Sequence, residues 1–341
     1  MKHANEFLKE SINKYCAVIG KDPLLVQGAG GNVSWKDGDT LWVKASGTWL
    51  ADALDKNIFV PVNLVHLQLA INSGDFTVTP KVIDNSELRP SIETLLHALM
   101  PHQVVIHLHA IEPLAYLVRN NPEFEIAQNL KTNISWALVS YQKPGEALAK
   151  AVADAITETP KANILFLQNH GIVIGGTDIE EVNNILTNIL TDLSIDPIVN
   201  NVTTVNPSPI LTGDVVEYFP IENTNLQYLA LMPEIFNRLK QDWVLYPDHV
   251  VFLGASPNCY ETEEHLLKDI EKGYEPELAF LREQGVYVKS NFSLAKQVQL
   301  ECYYNVIIRQ PKEAALNSLN EREISDLLNW DAEKYRQQIA K

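Results

Sequence analysis

The sequence predicts an α/β fold, because segments with helical spacing of apolar residues alternate with short runs of apolar and β-branched residues. Residues 5–19 and 179–193 place apolar side chains three or four positions apart, as amphipathic helices do. Residues 104–109 and 164–168 are nearly continuous apolar runs, which are typical of buried strands. With 341 residues, of which 46% are hydrophobic and 21% charged, the chain can bury one large or two smaller cores.

The other elements of the first 200 residues follow in order. A glycine-rich loop over residues 27–35 leads to a strand and a tight turn over residues 40–47. Residues 90–100 favour a helix, with Ser91 as its N-cap and Pro101 at its end. Residues 196–209 are rich in Pro, Asn and Thr, which favours a boundary between a domain over residues 1–200 and a C-terminal extension over residues 201–341.

The extension is also expected to be folded, with its own α/β elements. Residues 226–240 and 294–309 favour helices, and residues 250–253 resemble a strand. The last helix is expected to begin at Asn320, because Glu323 stands three residues later, which is the spacing of a capping box.

The charge balance disfavours polyanionic partners. The chain carries 43 Asp and Glu against 27 Lys and Arg, a net charge of −16, and has no basic run. Nucleic acid and anionic membrane surfaces would therefore be repelled. No stretch approaches the roughly 20 apolar residues of a membrane span, and the first residues do not resemble a signal peptide. The three cysteines form no CxxC motif, so we expect a cytoplasmic protein.

Three histidines indicate a metal site. His107 and His109 stand two positions apart on a predicted strand, so both side chains point to one face with their Cα atoms ~7 Å apart. Such a pair can share a metal ion, or it can be two hydrogen-bonded core histidines. His170 ends another apolar strand, and Gly171 lets the chain turn there. Three histidines with an open fourth position are typical of catalytic zinc.

Glu93 is a second candidate for chemistry. It falls at the start of the predicted helix, one turn before His97, where a carboxylate complements the positive end of the helix dipole. Glu93 is therefore either a favourable first-turn acid or a base beside the metal.

The glycine-rich loop is a candidate anion site. Residues 28–32 do not complete a dinucleotide-binding GxGxxG motif, since Val33 occupies its last position, and no Walker A lysine follows. Together with Ser46 and Gly47, the loop could expose backbone N–H groups that hold a phosphate, or it could be an ordinary tight turn.

Five ordered motifs resemble those of the class II aldolase/adducin superfamily. They are a GNxS loop at residues 31–34, an SG turn at Ser46-Gly47, a PSxE helix at residues 90–93, an HxH strand at residues 107–109 and an NHG turn at residues 169–171. Residues 91–109 and 246–250 further resemble the aldolase half of bifunctional rhamnulose-phosphate aldolase/dehydrogenases, although this chain contains no GxGxxG motif.

The resemblance implies a three-layer α/β/α sandwich around a mainly antiparallel sheet, assembled as a homotetramer. It implies metal-dependent cleavage of a ketose 1-phosphate, similar to rhamnulose 1-phosphate, to dihydroxyacetone phosphate and an aldehyde. His107, His109 and His170 would bind Zn²⁺ or another divalent transition metal, and Glu93 would be the acid/base. The implied substrate contacts are Gly31, Asn32, Ser46, Gly47 and Ser91.

Two departures from the family pattern affect phosphate binding. Ile92 stands where fuculose-phosphate aldolases have a second serine. Trp35 replaces a basic residue that often follows the GNxS motif, although Lys36 and Lys44 are near in the sequence.

Two further residues are candidates on weaker patterns. Tyr141 is the candidate for a tyrosine that serves the aldehyde oxygen in family members, often from the neighbouring subunit. The adjacent pair Asp248-His249 either stabilises a local turn or faces a cleft, where His249 would contact the sugar or its phosphate.

Other functions on the same fold remain open. A sugar-phosphate epimerase would have Asp in place of Glu93, whereas a dehydratase or a decarboxylase would keep both Glu93 and the metal ligands. A non-catalytic, adducin-like binding protein would typically lack the histidines.

Overall fold

The computed structural model describes residues 2–198, 207–212 and 215–334. The first part of the chain forms a seven-stranded sheet. Its helices are α1 (Lys2–Ile19), α2 (Leu64–Asn72), α3 (Thr94–Leu99), α4 (Ile111–Leu117), α5 (Pro122–Asn129), α6 (Glu146–Glu158) and α7 (Ile179–Asp192). Its strands are β1 (Asn32–Asp37), β2 (Thr40–Lys44), β3 (Phe59–Asn63), β4 (Val104–Leu108), β5 (Trp136–Val139), β6 (Ile164–Leu167) and β7 (Gly171–Gly176).

The seven-stranded sheet is mixed. Its strand order is β3-β2-β1-β4-β7-β6-β5. Strands β5 and β6 are parallel, while the other described pairs are antiparallel. The expected description, a mainly antiparallel sheet, is therefore corrected to a mixed one. The parallel pair arises because α6 carries the chain back across the sheet between β5 and β6, as a crossover connection requires.

Helices cover both faces of this sheet. Along β4, Val104, Ile106 and Leu108 pack into the core that contains residues of α1, α4 and α7. Val105 packs into the opposite core, together with residues of α3 and α6. Side chains alternate between the faces of a strand, so His107 lies on the same face as Val105. This is the face that α3 covers, and Glu93 is the N-cap residue of α3.

The extension contains six helices and five strands within the described residues. The helices are α8 (Tyr228–Leu231), α9 (Pro233–Gln241), α10 (Pro247–Leu253), α11 (Glu263–Glu271), α12 (Leu294–Ile307) and α13 (Glu321–Leu328). The strands are β8 (Ile210–Thr212), β9 (Val215–Pro220), β10 (Cys259–Tyr260), β11 (Leu278–Leu281) and β12 (Gly285–Val288). They form a second sheet in the order β10-β11-β12-β9-β8.

The extension and the first part of the chain share one hydrophobic core. Helix α12 packs on α4, and Leu114 of α4 and Leu300 of α12 are both fully buried in the same cluster. Much of the predicted boundary, residues 199–206, lies outside the described residues. The division into residues 1–200 and 201–341 stays a prediction.

Several predicted elements are confirmed, because their own sequence carries the signal. Helices α1 and α7 and strands β4 and β6 lie where the apolar pattern predicts them. Helix α13 begins with the expected capping box: the Asn320 side chain accepts a hydrogen bond from the Glu323 N–H, and the Glu323 carboxylate accepts one from the Asn320 N–H.

Three predicted elements were wrong in extent or type. The helix predicted over residues 90–100 begins only at Thr94, so Glu93 and not Ser91 is its N-cap residue. The helix predicted over residues 226–240 is two helices, since Pro233 lacks the N–H that would continue the first one. The strand predicted at residues 250–253 belongs to α10, where Pro247 occupies the first helical turn.

Within residues 2–198, 207–212 and 215–334, no helix combines the length and the apolar character needed to cross a bilayer.

Candidate metal centre and substrate cavity

The sheet brings the three predicted metal ligands together. His107 lies in β4, His109 follows the end of that strand, and His170 lies in the turn between β6 and β7. Because β4 and β7 are neighbours, the three side chains meet at one place. Their ligand atoms all lie within 4.8 Å of one another, and all three residues are buried. The Nε2 atoms of His107 and His109 are 3.2 Å apart.

The turn that carries His170 depends on the residues on either side of it, Asn169 and Gly171. Asn169 has a φ of 53°, a left-handed conformation that Asn adopts more readily than most residues. A Cβ atom on Gly171 would lie 2.3 Å from the carbonyl oxygen of Leu108, so only glycine lets β7 begin this close to β4. This close approach places the rings of His107 and His170 with their centroids 4.9 Å apart.

Glu93 lies against the histidine cluster. Its Oε1 atom is 3.2 Å from Nε2 of His170, and its Oε2 atom is 3.4 Å from Nε2 of His107. The side-chain amide of Asn32 donates a hydrogen bond of 2.9 Å to Oε2. The Ser91 hydroxyl accepts a hydrogen bond from the Glu93 backbone N–H, which helps hold the turn before α3.

The electrostatics of this cluster favour an ionised Glu93 and a neutral His107. Burial by itself would raise the pKa of Glu93, but the surrounding histidines, among them His170 through a hydrogen bond, hold that pKa below its usual range. Burial lowers the pKa of His107 to about 3, although the Glu93 carboxylate opposes this shift. The Nδ1 atom of His107 donates to the carbonyl oxygen of Ile172, 3.0 Å away, so Nε2 keeps its lone pair. A neutral imidazole is the form that binds metal ions.

The donor set fits a divalent transition metal. Three buried imidazoles with converging nitrogen atoms match the ligands that zinc and similar ions prefer, and a carboxylate stands beside them. His107, His109 and His170 could therefore hold a metal ion.

Five of the six residues predicted to contact substrate line a cavity beside the cluster. Glu93, His109 and His170 form part of its wall. The five predicted contacts that also line it are Gly31, Asn32, Ser46, Gly47 and Ser91.

Lys44 supplies a positive charge to this cavity. Its side chain is 1% exposed, and its ammonium group donates hydrogen bonds to the carbonyl oxygens of Ala29 and Thr48 at 2.9 and 2.7 Å. It thereby joins the glycine-rich loop to the SG turn. Lys36 lies elsewhere: its ammonium group donates to the carbonyl oxygen of Met100, and burial lowers the pKa of Lys36 to about 8.

The extension also contributes to this cavity, where the sequence analysis had left open whether the pair Asp248-His249 faces a cleft. Pro247, Asp248 and Glu333 line the same cavity. The Oδ2 atom of Asp248 is 3.3 Å from Nδ1 of His109. The only sequence signal for these cavity residues was the motif at residues 246–250. It identified the right segment, but it favoured His249 as the residue that contacts substrate.

Comparison with known proteins decides the family. The profile of the class II aldolase and adducin N-terminal domain matches residues 11–189, just over half of the chain. The chain belongs to this family.

Relatives of this class II aldolase family member differ in length. The uncharacterized oxidoreductase YuxG of Bacillus subtilis (strain 168) is 27% identical over 252 residues, which are 68% of this chain and 35% of that protein. The chain thus spans about a third of this curated relative.

Two solved structures are also similar. The N-terminal class II aldolase domain of a conserved Thermoplasma acidophilum protein is 27% identical, covers 53% of this chain and 90% of its own, and has a TM-score of 0.46. A sugar-phosphate aldolase from Thermotoga maritima is 14% identical, covers 56% of this chain and 93% of its own, and has a TM-score of 0.44.

Two predicted site residues of this class II aldolase family member do not line the cavity. His249 is fully buried against the rings of Trp243 and Tyr303, with centroids 4.2 and 4.7 Å away. Successive residues of a helix point ~100° apart, so α10 directs Asp248 to the cavity and His249 into the aromatic core. Tyr141 packs half-buried against the large core, and burial raises its pKa.

Proposed function

We propose that this chain is a metal-dependent class II aldolase that cleaves a ketose 1-phosphate, similar to rhamnulose 1-phosphate, to dihydroxyacetone phosphate and an aldehyde. The observation that carries the proposal is the placement of Glu93 against His107 and His170 in a cavity that Lys44 also lines. A lyase of this kind needs an acid/base beside its metal ligands and a binding site for an anion, and the positions of Glu93 and Lys44 support these two roles.

The histidines would hold the metal. Zn²⁺, or another divalent transition metal, bound by His107, His109 and His170 would supply Lewis-acid stabilisation of negative charge on the substrate oxygens. The hydrogen bond from His107 to the Ile172 carbonyl orients this ring for that task.

Glu93 would transfer the proton at C3. In the condensation direction its ionised carboxylate takes the C3 proton of dihydroxyacetone phosphate, and in the cleavage direction the protonated form returns it. The hydrogen bond from Asn32 fixes Oε2 and thereby orients the carboxylate.

The phosphate would bind where the glycine-rich loop meets the SG turn. Gly31 has a φ of 66°, so this loop turns its backbone toward the cavity in a conformation that glycine adopts without strain. The hydroxyl groups of Ser46 and Ser91 and the ammonium group of Lys44 are donors of the kind that phosphate oxygens accept.

Tyr141 would act across a subunit boundary. Its side chain does not line the cavity of its own chain, so a role at the aldehyde oxygen requires a second copy. In the proposed homotetramer, Tyr141 of one subunit would reach the cavity of the next.

A coupled assay tests the proposed reaction. The metal-loaded protein is incubated with a panel of ketose 1-phosphates and the corresponding free ketoses, and release of dihydroxyacetone phosphate is followed by its enzymatic reduction. Release from a ketose 1-phosphate supports the proposal. Conversion of a sugar phosphate without triose release would instead indicate an epimerase, a dehydratase or a decarboxylase. Binding without any turnover would indicate an adducin-like binding protein.

A further inference from the structure

A carboxylate from the extension lies against one of the candidate metal ligands. Asp248 is 2% exposed, and its Oδ2 atom is 3.3 Å from Nδ1 of His109. The Nε2 atom of the same ring faces His107, 3.2 Å away. His109 therefore has one nitrogen toward the candidate ligand cluster and the other toward Asp248.

Asp248 is itself held by the extension. Gln299 of α12 donates a hydrogen bond of 3.3 Å from Nε2 to Oδ2 of Asp248. Helix α10 packs against α12, and Asp248 lies in the first turn of α10, after Pro247. The position of this carboxylate is thus determined by two helices that lie outside the segment matched by the family profile.

The turn that carries His170 is fixed by the extension as well. The side-chain amide of Asn169 donates hydrogen bonds to the carbonyl oxygens of Leu245 and Asn317, at 2.8 and 2.6 Å. The Asn317 amide donates one of 3.0 Å in return to Oδ1 of Asn169. Two of the three candidate ligands therefore depend on contacts with residues beyond 240.

A carboxylate at Nδ1 affects how the ring binds a metal. A hydrogen bond from Nδ1–H to a carboxylate fixes the tautomer with its lone pair on Nε2, fixes the ring orientation and increases the electron density at Nε2. His107 has a comparable partner in the Ile172 carbonyl oxygen. Burying a carboxylate costs free energy unless it has partners, so a position filled only for packing favours an apolar residue.

We propose that Asp248 is a positioning residue of the metal centre, through which the C-terminal extension orients His109 and strengthens metal binding. This inference rests on the metal site of the proposed function, and it does not depend on the identity of the substrate. It assigns the extension a role in the chemistry of the first part of the chain.

Metal affinity in the absence of substrate tests the role of Asp248. The metal-free parent and its Asp248→Asn variant are titrated with Zn²⁺ against a chromogenic chelator. The substitution preserves shape and removes the charge, so we expect Kd for Zn²⁺ to rise about 10- to 100-fold, the range found for partners of metal-bound histidines. The rise in melting temperature on adding Zn²⁺ should shrink accordingly.

The matched control is Asp242→Asn. Asp242 is also a buried acid of the extension, but its carboxylate pairs with Arg238 and does not line the cavity. This variant should lower the melting temperature of the metal-free protein and keep Kd for Zn²⁺ within about threefold of the parent. Equal weakening of metal binding in both variants would show a general loss of stability and would overturn the proposal, as would a parent-like Kd in Asp248→Asn.

A second variant covers the case in which Asp248→Asn does not fold. Gln299→Met keeps the length of the side chain and removes the N–H that orients Asp248. A severalfold higher Kd for Zn²⁺ would support the proposal, and an unchanged Kd would overturn it. If the aldolase assay detects no cleavage but Asp248→Asn still weakens Zn²⁺ binding, only the proposed reaction is refuted.

Discussion

The carboxylate of Glu93 lies between two candidate metal ligands, with Oε1 3.2 Å from Nε2 of His170 and Oε2 3.4 Å from Nε2 of His107. Asn32 donates a hydrogen bond to Oε2 only. The two oxygen atoms therefore have different surroundings, since Oε1 has no such amide donor among the described residues. We expect Oε1 to be the atom that exchanges a proton with substrate.

Replacing Glu93 by Gln should separate metal binding from proton transfer. The amide preserves the shape of the side chain but cannot take up the C3 proton, so exchange of that proton in dihydroxyacetone phosphate with deuterated solvent should slow by about 10²-fold or more. NMR measures the exchange, and metal analysis should still find about one ion per chain. Exchange at the parent rate would assign the acid/base role to another residue.

Metal analysis should find about one divalent ion per purified chain. His170→Ala removes one of three nitrogen donors, so we expect it to lose most of its metal during dialysis against a weak chelator. His66→Ala is the matched control, because His66 lies in α2, outside the histidine cluster. Full loading of His170→Ala would refute the assignment of this ligand.

Replacing Lys44 by Met should weaken the binding of phosphorylated substrates. Loss of a charge-assisted hydrogen bond should raise KM for dihydroxyacetone phosphate about 10- to 100-fold in the same exchange assay, and should change exchange in unphosphorylated dihydroxyacetone far less. Lys36→Met is the control, because Lys36 is a half-buried lysine that does not line the cavity. An equal effect of Lys44→Met on both compounds would show that Lys44 does not bind phosphate.

The metal-free protein should lose stability as the pH falls below 6.5, partly through His249. Burial lowers the pKa of His249 to about 3, whereas an unfolded histidine titrates near 6.5. Between these values the unfolded chain binds more protons, so the free energy of unfolding decreases with falling pH. Between pH 7 and pH 4.5 this one group should account for roughly 2.5 kcal/mol.

His249→Phe measures that contribution. Phenylalanine keeps an aromatic ring beside Trp243 and Tyr303 but cannot take up a proton. Urea unfolding at several pH values should show a shallower pH dependence in the variant. Its free energy of unfolding should fall by roughly 2.5 kcal/mol less than that of the parent between pH 7 and pH 4.5. Parallel curves for the two proteins would mean that His249 is protonated equally in the folded and unfolded states.

How much the sequence predicts depends on how local the signal is. Helix α1 and strand β4 carry their own apolar periodicity, and both are confirmed. The clustering of the three histidines was predictable because the HxH spacing on a strand and the NHG turn each place a candidate ligand by local geometry. Lys44 was harder to assign, since lysine is rarely buried and a strand pattern does not show which face of the sheet holds a cavity.

The misassigned residues lie where local pattern is ambiguous. Four apolar residues at 250–253 fit a strand or one turn of a buried helix, and the sequence alone does not distinguish them. The predicted strand did not show which of Asp248 and His249 faces the cavity. In helix α10 it is Asp248 that faces the cavity. The contact between Asp248 and His109 joins distant parts of the chain, so no short pattern predicts it.

The hydrogen bonds between Asn169 and Asn317 have a consequence for biosynthesis. The two residues are 148 positions apart in the chain, and both contribute an amide to the pair. A nascent polypeptide that ends before Asn317 lacks this pair, even though all three histidines have already been synthesised. These hydrogen bonds form only once the segment around Asn317 has been synthesised, so we expect the turn that carries His170, and with it the proposed metal site, to be completed late.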